Sequence, residues 1–89
     1  MNATPWRVEL TRTAQRDLRH LDPQIWRRVN DALDALADDP RASTNLRRLT
    51  GRPETRLRVG DWRVPLIIDA KGRVILVMRI LPRGRAYDN

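Results

Sequence analysis

Arginine recurs between Arg56 and Tyr87 at spacings that bring the side chains together, and the run closes on the chain's only tyrosine. The stretch reads TRLRVGDWRV and then VILVMRILPRGRAY. Folded as a β-hairpin about Gly60-Asp61 and a following strand, it places Arg56, Arg58, Arg63, Arg79 and Arg83 on one face. Like charges side by side in a sheet are destabilising. Such a cluster therefore answers to an anion. The first candidate is a phosphate backbone, whose oxygens planar guanidinium forks grip two at a time. Arg52 and Arg85 read as exposed charge that, with Arg79, would widen an RNA-binding surface.

The whole chain leans the same way. Its 89 residues carry a net charge of +7, and Lys71 is the only lysine among 18 basic residues, which leaves 17 arginines. A GC-rich genome accounts for part of the arginine bias but not for the excess charge, which points to nucleic acid, an anionic surface or an acidic partner. With no cysteine, neither a disulfide framework nor a cysteine-based metal site is available. That fits a reducing cytoplasm. No run approaches the roughly 18 apolar residues of a membrane span, and MNATPWRVEL lacks an apolar leader. The expectation is a soluble, unprocessed, cytoplasmic chain in which residues 1–89 form one domain with a modest core.

The elements that must position the arginines follow from periodicity. Trp6, Val8 and Leu10 alternate with Arg7 and Glu9, the pattern of a half-buried strand. Thr11 or Thr13 can cap a helix with Ala14, Leu18 and Leu21 on its inner face. Asp22-Pro23 starts a second helix carrying Ile25, Val29, Leu33 and Leu36 on one stripe, with Trp26 at its edge. Residues 41–53 read as a connection with a short strand around Leu46 to Leu49. Strands then run from Thr55 to Val59, Trp62 to Asp69 and, after a turn at Ala70-Lys71-Gly72, Arg73 to about Leu81. The result is an α+β fold in the order β-α-α-β-β-β, with a helical hairpin on one face of a twisted, mainly antiparallel sheet.

This register puts Leu57, Val59, Trp62, Val64, Leu66, Ile68, Val74, Leu76, Met78 and Ile80 under the helices. It leaves Ile67, Ile75 and Val77 as an apolar patch beside the arginines. Pro65 fits badly, because proline removes a donor from a central strand. Either a bulge or incomplete pairing is expected there. His20, the only histidine, reads as a helix-surface residue, and Asp34, Asp38 and Asp39 as a solvated helix end with no histidine to make a metal site.

In order and spacing these pieces resemble the RelE/ParE superfamily of bacterial toxins from type II toxin–antitoxin modules. The resemblance runs from VELTRTAQRDLRHL through ADDPR to LRRLTGRPETRLRVGDWRV. Its marks are Leu49-Thr50-Gly51, Arg58-Val59-Gly60-Asp61-Trp62-Arg63-Val64, and Arg83-Gly84-Arg85-Ala86-Tyr87. Trp62 stands where the family usually has tyrosine, Arg56 and Arg58 where active relatives often have lysine, and Leu81-Pro82 where Gly-His or Gly-Lys is frequent.

The resemblance implies a ribosome-dependent mRNA endonuclease, needing no metal or cofactor, that inhibits translation until an antitoxin binds it. Arg63 and Arg83 would hold the scissile phosphate, Arg56 and Arg58 would neutralise charge, and Tyr87 would stack on or orient the nucleotide. Ile67, Ile75 and Val77 would then form a groove for an antitoxin segment. Two alternatives stand: a ParE-like inhibitor of DNA gyrase without nuclease activity, and a non-catalytic RNA- or ribosome-binding module.

Overall fold

A computed structural model describes residues 6–86. Strand β1, Arg7–Leu10, exposes Arg7 and Glu9 and half-buries Val8 and Leu10, as its alternation requires. Thr11 is the residue that caps α1, Arg12–Arg19. Its hydroxyl accepts the Ala14 amide at 3.1 Å and donates to the Met78 carbonyl at 2.8 Å, so the cap also ties the helix to the sheet. Ala14 is the buried residue of α1, a small side chain at a close approach. Helix α2, Pro23–Asp38, begins with Pro23 in its first turn, where a missing amide breaks no helical bond. Val29, Leu33 and Leu36 are its buried stripe. Trp26 does not pack beside them: it is 45% exposed.

The remaining elements are β2 (Leu46–Arg48), β3 (Thr55–Val59), β4 (Trp62–Asp69), β5 (Val74–Val77), β6 (Leu81–Pro82) and a short α3 (Arg83–Ala86). They form a mixed sheet in the order β1-β5-β4-β3-β2, with β6 pairing β4. β1 runs parallel to β5, and every other pairing is antiparallel. The helices cover one face. The core lies between α2 and the inward residues of β3, β4 and β5, including Leu57, Val64, Leu66, Ile75 and Val77. Among the described residues, no helix is long and apolar enough to cross a membrane.

The β3–β4 hairpin has the expected register, with Val59 opposite Trp62 and Arg58 opposite Arg63. Gly60 has φ +59 while Asp61 does not take a positive φ, the signature of a type II′ turn. The β4–β5 hairpin differs. Asp69 pairs with Val74, so four residues rather than three make the loop. The Asp69 carboxylate accepts the Lys71 and Gly72 amides at 3.1 and 3.3 Å, and Arg73 takes the left-handed φ of 54°. One added residue inverts every side chain of the next strand. Ile75 and Val77, expected on the open face, are fully buried under the helices, and Leu76 turns outward opposite Ile67.

The expected single strand from Arg73 to Leu81 is broken. β5 stops at Val77 opposite Leu66, and β6 resumes at Leu81 opposite Arg63. The partner of β4 therefore holds one residue more than β4 across this interval, which is a bulge. Pro65 lies at the interruption, with its carbonyl accepting the Met78 amide at 2.8 Å. A residue without an N–H is tolerated where the ladder is already discontinuous.

Candidate nucleic-acid interface

β2, β3 and β4 carry the cationic rows on the face away from the helices. Arg47 stands opposite Arg56, and Arg58 opposite Arg63. Asn45 extends β2 by one residue: its carbonyl accepts the Arg58 amide at 2.9 Å, so Asn45, Arg58 and Arg63 fall in one row. Arg83 joins from the far end of the sequence, its amide donating to the Asp61 carbonyl at 2.8 Å. That bond sets the start of α3 against the β3–β4 turn.

Two adjoining clefts result. The larger, about 670 Å³, is lined by Arg47, Arg56, Arg58, Arg63 and Arg83 with Thr44 and Asn45 beside them. The smaller, about 390 Å³, lies at the turn and is lined by Asn45, Arg58, Gly60, Asp61, Arg63 and Arg83. Arg58, Arg63 and Arg83 therefore face a common space, as the sequence suggests, and Arg56 borders it.

The arginines are held differently. Arg58 and Arg83 are exposed and Arg56 is half-buried. Arg63 is only 8% exposed, and its Nη1 donates to the Gly60 and Trp62 carbonyls at 2.9 Å each. Carbonyl oxygens replace the water its charge has lost. Arg63 thus braces the turn and forms the floor of the site at once. From the helical side, Arg28 lies over Gly60, its Nη2 only 2.7 Å from the point a Cβ would occupy.

Arg79 does not join the cluster. The bulge turns it toward α1, where Nε lies 2.8 Å from Asp17 Oδ2 and Nη2 3.3 Å from Oδ1. The Ile80 amide donates to the same Oδ2 at 3.0 Å. Burial pushes the Asp17 carboxyl up, but the Arg79 hydrogen bonds, the Ile80 amide and the Arg79 charge together hold it below its ordinary value. Arg79 is correspondingly raised by the Asp17 hydrogen bond.

The apolar patch is corrected likewise. Ile75 and Val77 have no exposed surface to offer a partner, and only Ile67 of the three remains half-exposed. Arg52 is exposed and sits 3.9 Å from the Glu54 carboxylate. Arg85 falls within α3, and Tyr87 lies outside the described residues.

Among the cleft residues that escaped the sequence reading are Arg47, Asn45 and Asp61. Placing Arg47 and Asn45 needs the non-local β2–β3 register, and no local pattern fixes it. Asp61 was visible only as a turn residue. The clefts thus gather several guanidinium groups, each a planar fork of donors, on one face of the sheet.

A family model described as the ParE toxin of type II toxin–antitoxin systems matches residues 8–87. A RelE1 candidate toxin of Methanocaldococcus jannaschii is 28% identical over 85 residues, covering 92% of this chain and 94% of that protein. The fold is similar to the archaeal RelE–RelB complex of Pyrococcus horikoshii, with TM-score 0.78, 29% identity, and 92% of this chain matched to 99% of that one. It is also similar to the RelBE2 toxin–antitoxin complex of Mycobacterium tuberculosis, with TM-score 0.75, 27% identity, and 92% of this chain matched to 95% of that one. With the family model spanning nearly the whole chain, and the arginine rows carried on a RelE-like sheet, the chain belongs to the ParE toxin family of the RelE/ParE superfamily, the toxins of type II toxin–antitoxin modules.

Proposed function

We infer that this toxin is a ribosome-dependent mRNA endonuclease. The observation that carries the reading is the convergence of Arg58, Arg63 and Arg83 on one cleft from two strands and the C-terminal segment. Isolated surface charge has no reason to be gathered from three places. The reaction is attack of a ribose 2′-OH on the adjacent phosphate, giving a 2′,3′-cyclic phosphate and a 5′-hydroxyl. Arg63 and Arg83 hold the non-bridging oxygens and Arg58 adds charge as the phosphorane develops, the stage at which fixed donors lower the barrier most. Arg56 and Arg47 follow the strand beyond the scissile phosphate. Tyr87 stacks on or orients a neighbouring base.

A cognate antitoxin silences the chain, as the RelE–RelB complexes among its structural relatives suggest. A cytoplasmic location follows from a ribosomal target.

Two observations favour a second reading. Among the described residues the clefts hold no lysine or histidine, and the family model is that of ParE toxins, so inhibition of DNA gyrase through protein contacts is the alternative. The deciding experiment incubates the purified chain with mRNA-programmed ribosomes and, separately, with gyrase and relaxed plasmid. Cleaved mRNA ending in a 2′,3′-cyclic phosphate supports the nuclease. Intact mRNA with blocked supercoiling supports the alternative, and intact mRNA on tightly bound ribosomes would indicate a non-catalytic binder.

A further inference from the structure

The arginines of the clefts leave one step of the nuclease reaction without an agent. The attacking 2′-OH must lose its proton, and guanidinium, a cation with no lone pair to offer, accepts none at neutral pH. Among the described residues lining the two clefts, Asp61 is the one whose side chain can take up a proton. We propose that Asp61 is the general base of the cleavage reaction, an inference that rests on the nuclease reading above.

The placement supports it. Asp61 is the second central residue of the II′ turn, and its backbone is pinned from two sides. The Arg63 guanidinium bonds the flanking Gly60 and Trp62 carbonyls at 2.9 Å each, and the Arg83 amide bonds the Asp61 carbonyl at 2.8 Å. The residues that grip the phosphate therefore also fix the backbone that carries the carboxylate, so base and phosphate site move as one unit. A rigid base near the reacting oxygen is what general-base catalysis requires.

The carboxylate is also uncommitted. Among the described residues, Glu9 is paired with Arg7, Glu54 with Arg52 and Asp17 with Arg79. Asp61 makes no side-chain ion pair or hydrogen bond among them, although it shares a cleft with Arg58, Arg63 and Arg83. A turn role alone asks only for a small polar residue at this position, and asparagine meets it as well as aspartate.

In the step itself the O2′–H bond breaks as its proton passes to an Asp61 oxygen, and O2′ bonds to phosphorus. The P–O5′ bond then breaks, the leaving oxygen takes a proton from water, and Asp61 returns its own proton to the solvent. The arginines remain charged throughout.

The test is single-turnover cleavage of ribosome-bound mRNA by purified wild type and Asp61→Asn, measured between about pH 6 and 8.5. Wild type should cleave with a nearly flat profile. Asp61→Asn should be slower by about 100-fold or more, with a rate that climbs about tenfold per pH unit as hydroxide replaces the lost base. Asp61→Glu should restore much of the flat component. Asp61→Ser, also compatible with the turn, supplies the same readout should the asparagine variant fold poorly. An Asp61→Asn enzyme with wild-type rate, or one slowed with an unchanged flat profile, overturns the assignment while leaving the nuclease reading intact. Wild type that leaves mRNA uncut overturns both.

Discussion

Arg58 and Arg63 stand directly opposite each other across the β3–β4 hairpin, yet only Arg63 is withdrawn from water. The pair shows how two like charges coexist on adjacent strands. One is solvated, and the other is satisfied by the carbonyls of its own turn.

Their removal should therefore have unequal consequences. Arg63→Ala should cost about 1.5–3 kcal/mol of stability by freeing two turn carbonyls from a charged donor, and should abolish toxicity as well. Arg58→Ala should change stability by no more than about 0.5 kcal/mol while weakening toxicity. Urea denaturation midpoints set beside growth inhibition separate the two effects.

Asp17 and Arg79 give a prediction in acid. Asp17 titrates below its ordinary value in the folded chain, so its contribution is fully present above the unfolded carboxylate pKa. It is lost as pH falls through the lowered folded value. Asp17→Asn should cost about 1–2 kcal/mol near neutrality, towards the lower end because the Arg79 side chain is 43% exposed. It should also flatten the decline in stability between about pH 5 and 2. Thermal melts across that range check the sign. Arg79→Ala should leave toxicity in place, because Arg79 lies outside both clefts.

Gly60 is constrained twice, by its φ of +59 and by the Arg28 guanidinium lying over it. Gly60→Ala should destabilise the chain by about 1–2 kcal/mol through the left-handed backbone alone. Arg28, a flexible side chain, can yield to the added methyl group. Gly60→Asn should cost less, since asparagine tolerates that region better. Chemical denaturation of the three proteins ranks them.

Arg47 lies opposite Arg56 on the wall of the larger cleft, where the nuclease reading calls for a phosphate contact. Arg47→Ala should weaken binding of single-stranded RNA of any sequence and lower the slope of log K against log salt by about 0.7. Fluorescence anisotropy at several salt concentrations measures both.

What could be read in advance divides along physical lines. Gly60-Asp61 admits one short loop, so the Arg58–Arg63 pairing was legible from turn chemistry. The loop at Ala70 to Arg73 was not. Its fourth residue depends on Asp69 capping the turn and on Arg73 entering a region that non-glycine residues seldom occupy. Because Val74, Ile75, Leu76 and Val77 are all apolar, composition could not choose which alternate pair faced the core. That ambiguity produced the mistaken patch of Ile75 and Val77. Pro65 marked the place as either a bulge or a gap in the pairing, but the direction in which Arg79 left the sheet depended on Asp17, remote in the chain. Arg63 and Arg83, to which the nuclease reading gives the phosphate, came from motif and turn, whereas the placing of Arg47, Asn45 and Asp61 needed the assembled sheet.

Whether the clustered arginines serve cleavage of mRNA is decided by expressing wild type and Arg83→Ala in cells and mapping mRNA 5′ ends after induction. Arg83 is exposed and its backbone amide survives the substitution, so the variant should fold normally. New 5′ ends should appear inside translated codons for wild type and none for Arg83→Ala. Growth arrest by wild type without new ends, accompanied by a DNA-damage response, would contradict the nuclease reading and make gyrase the target.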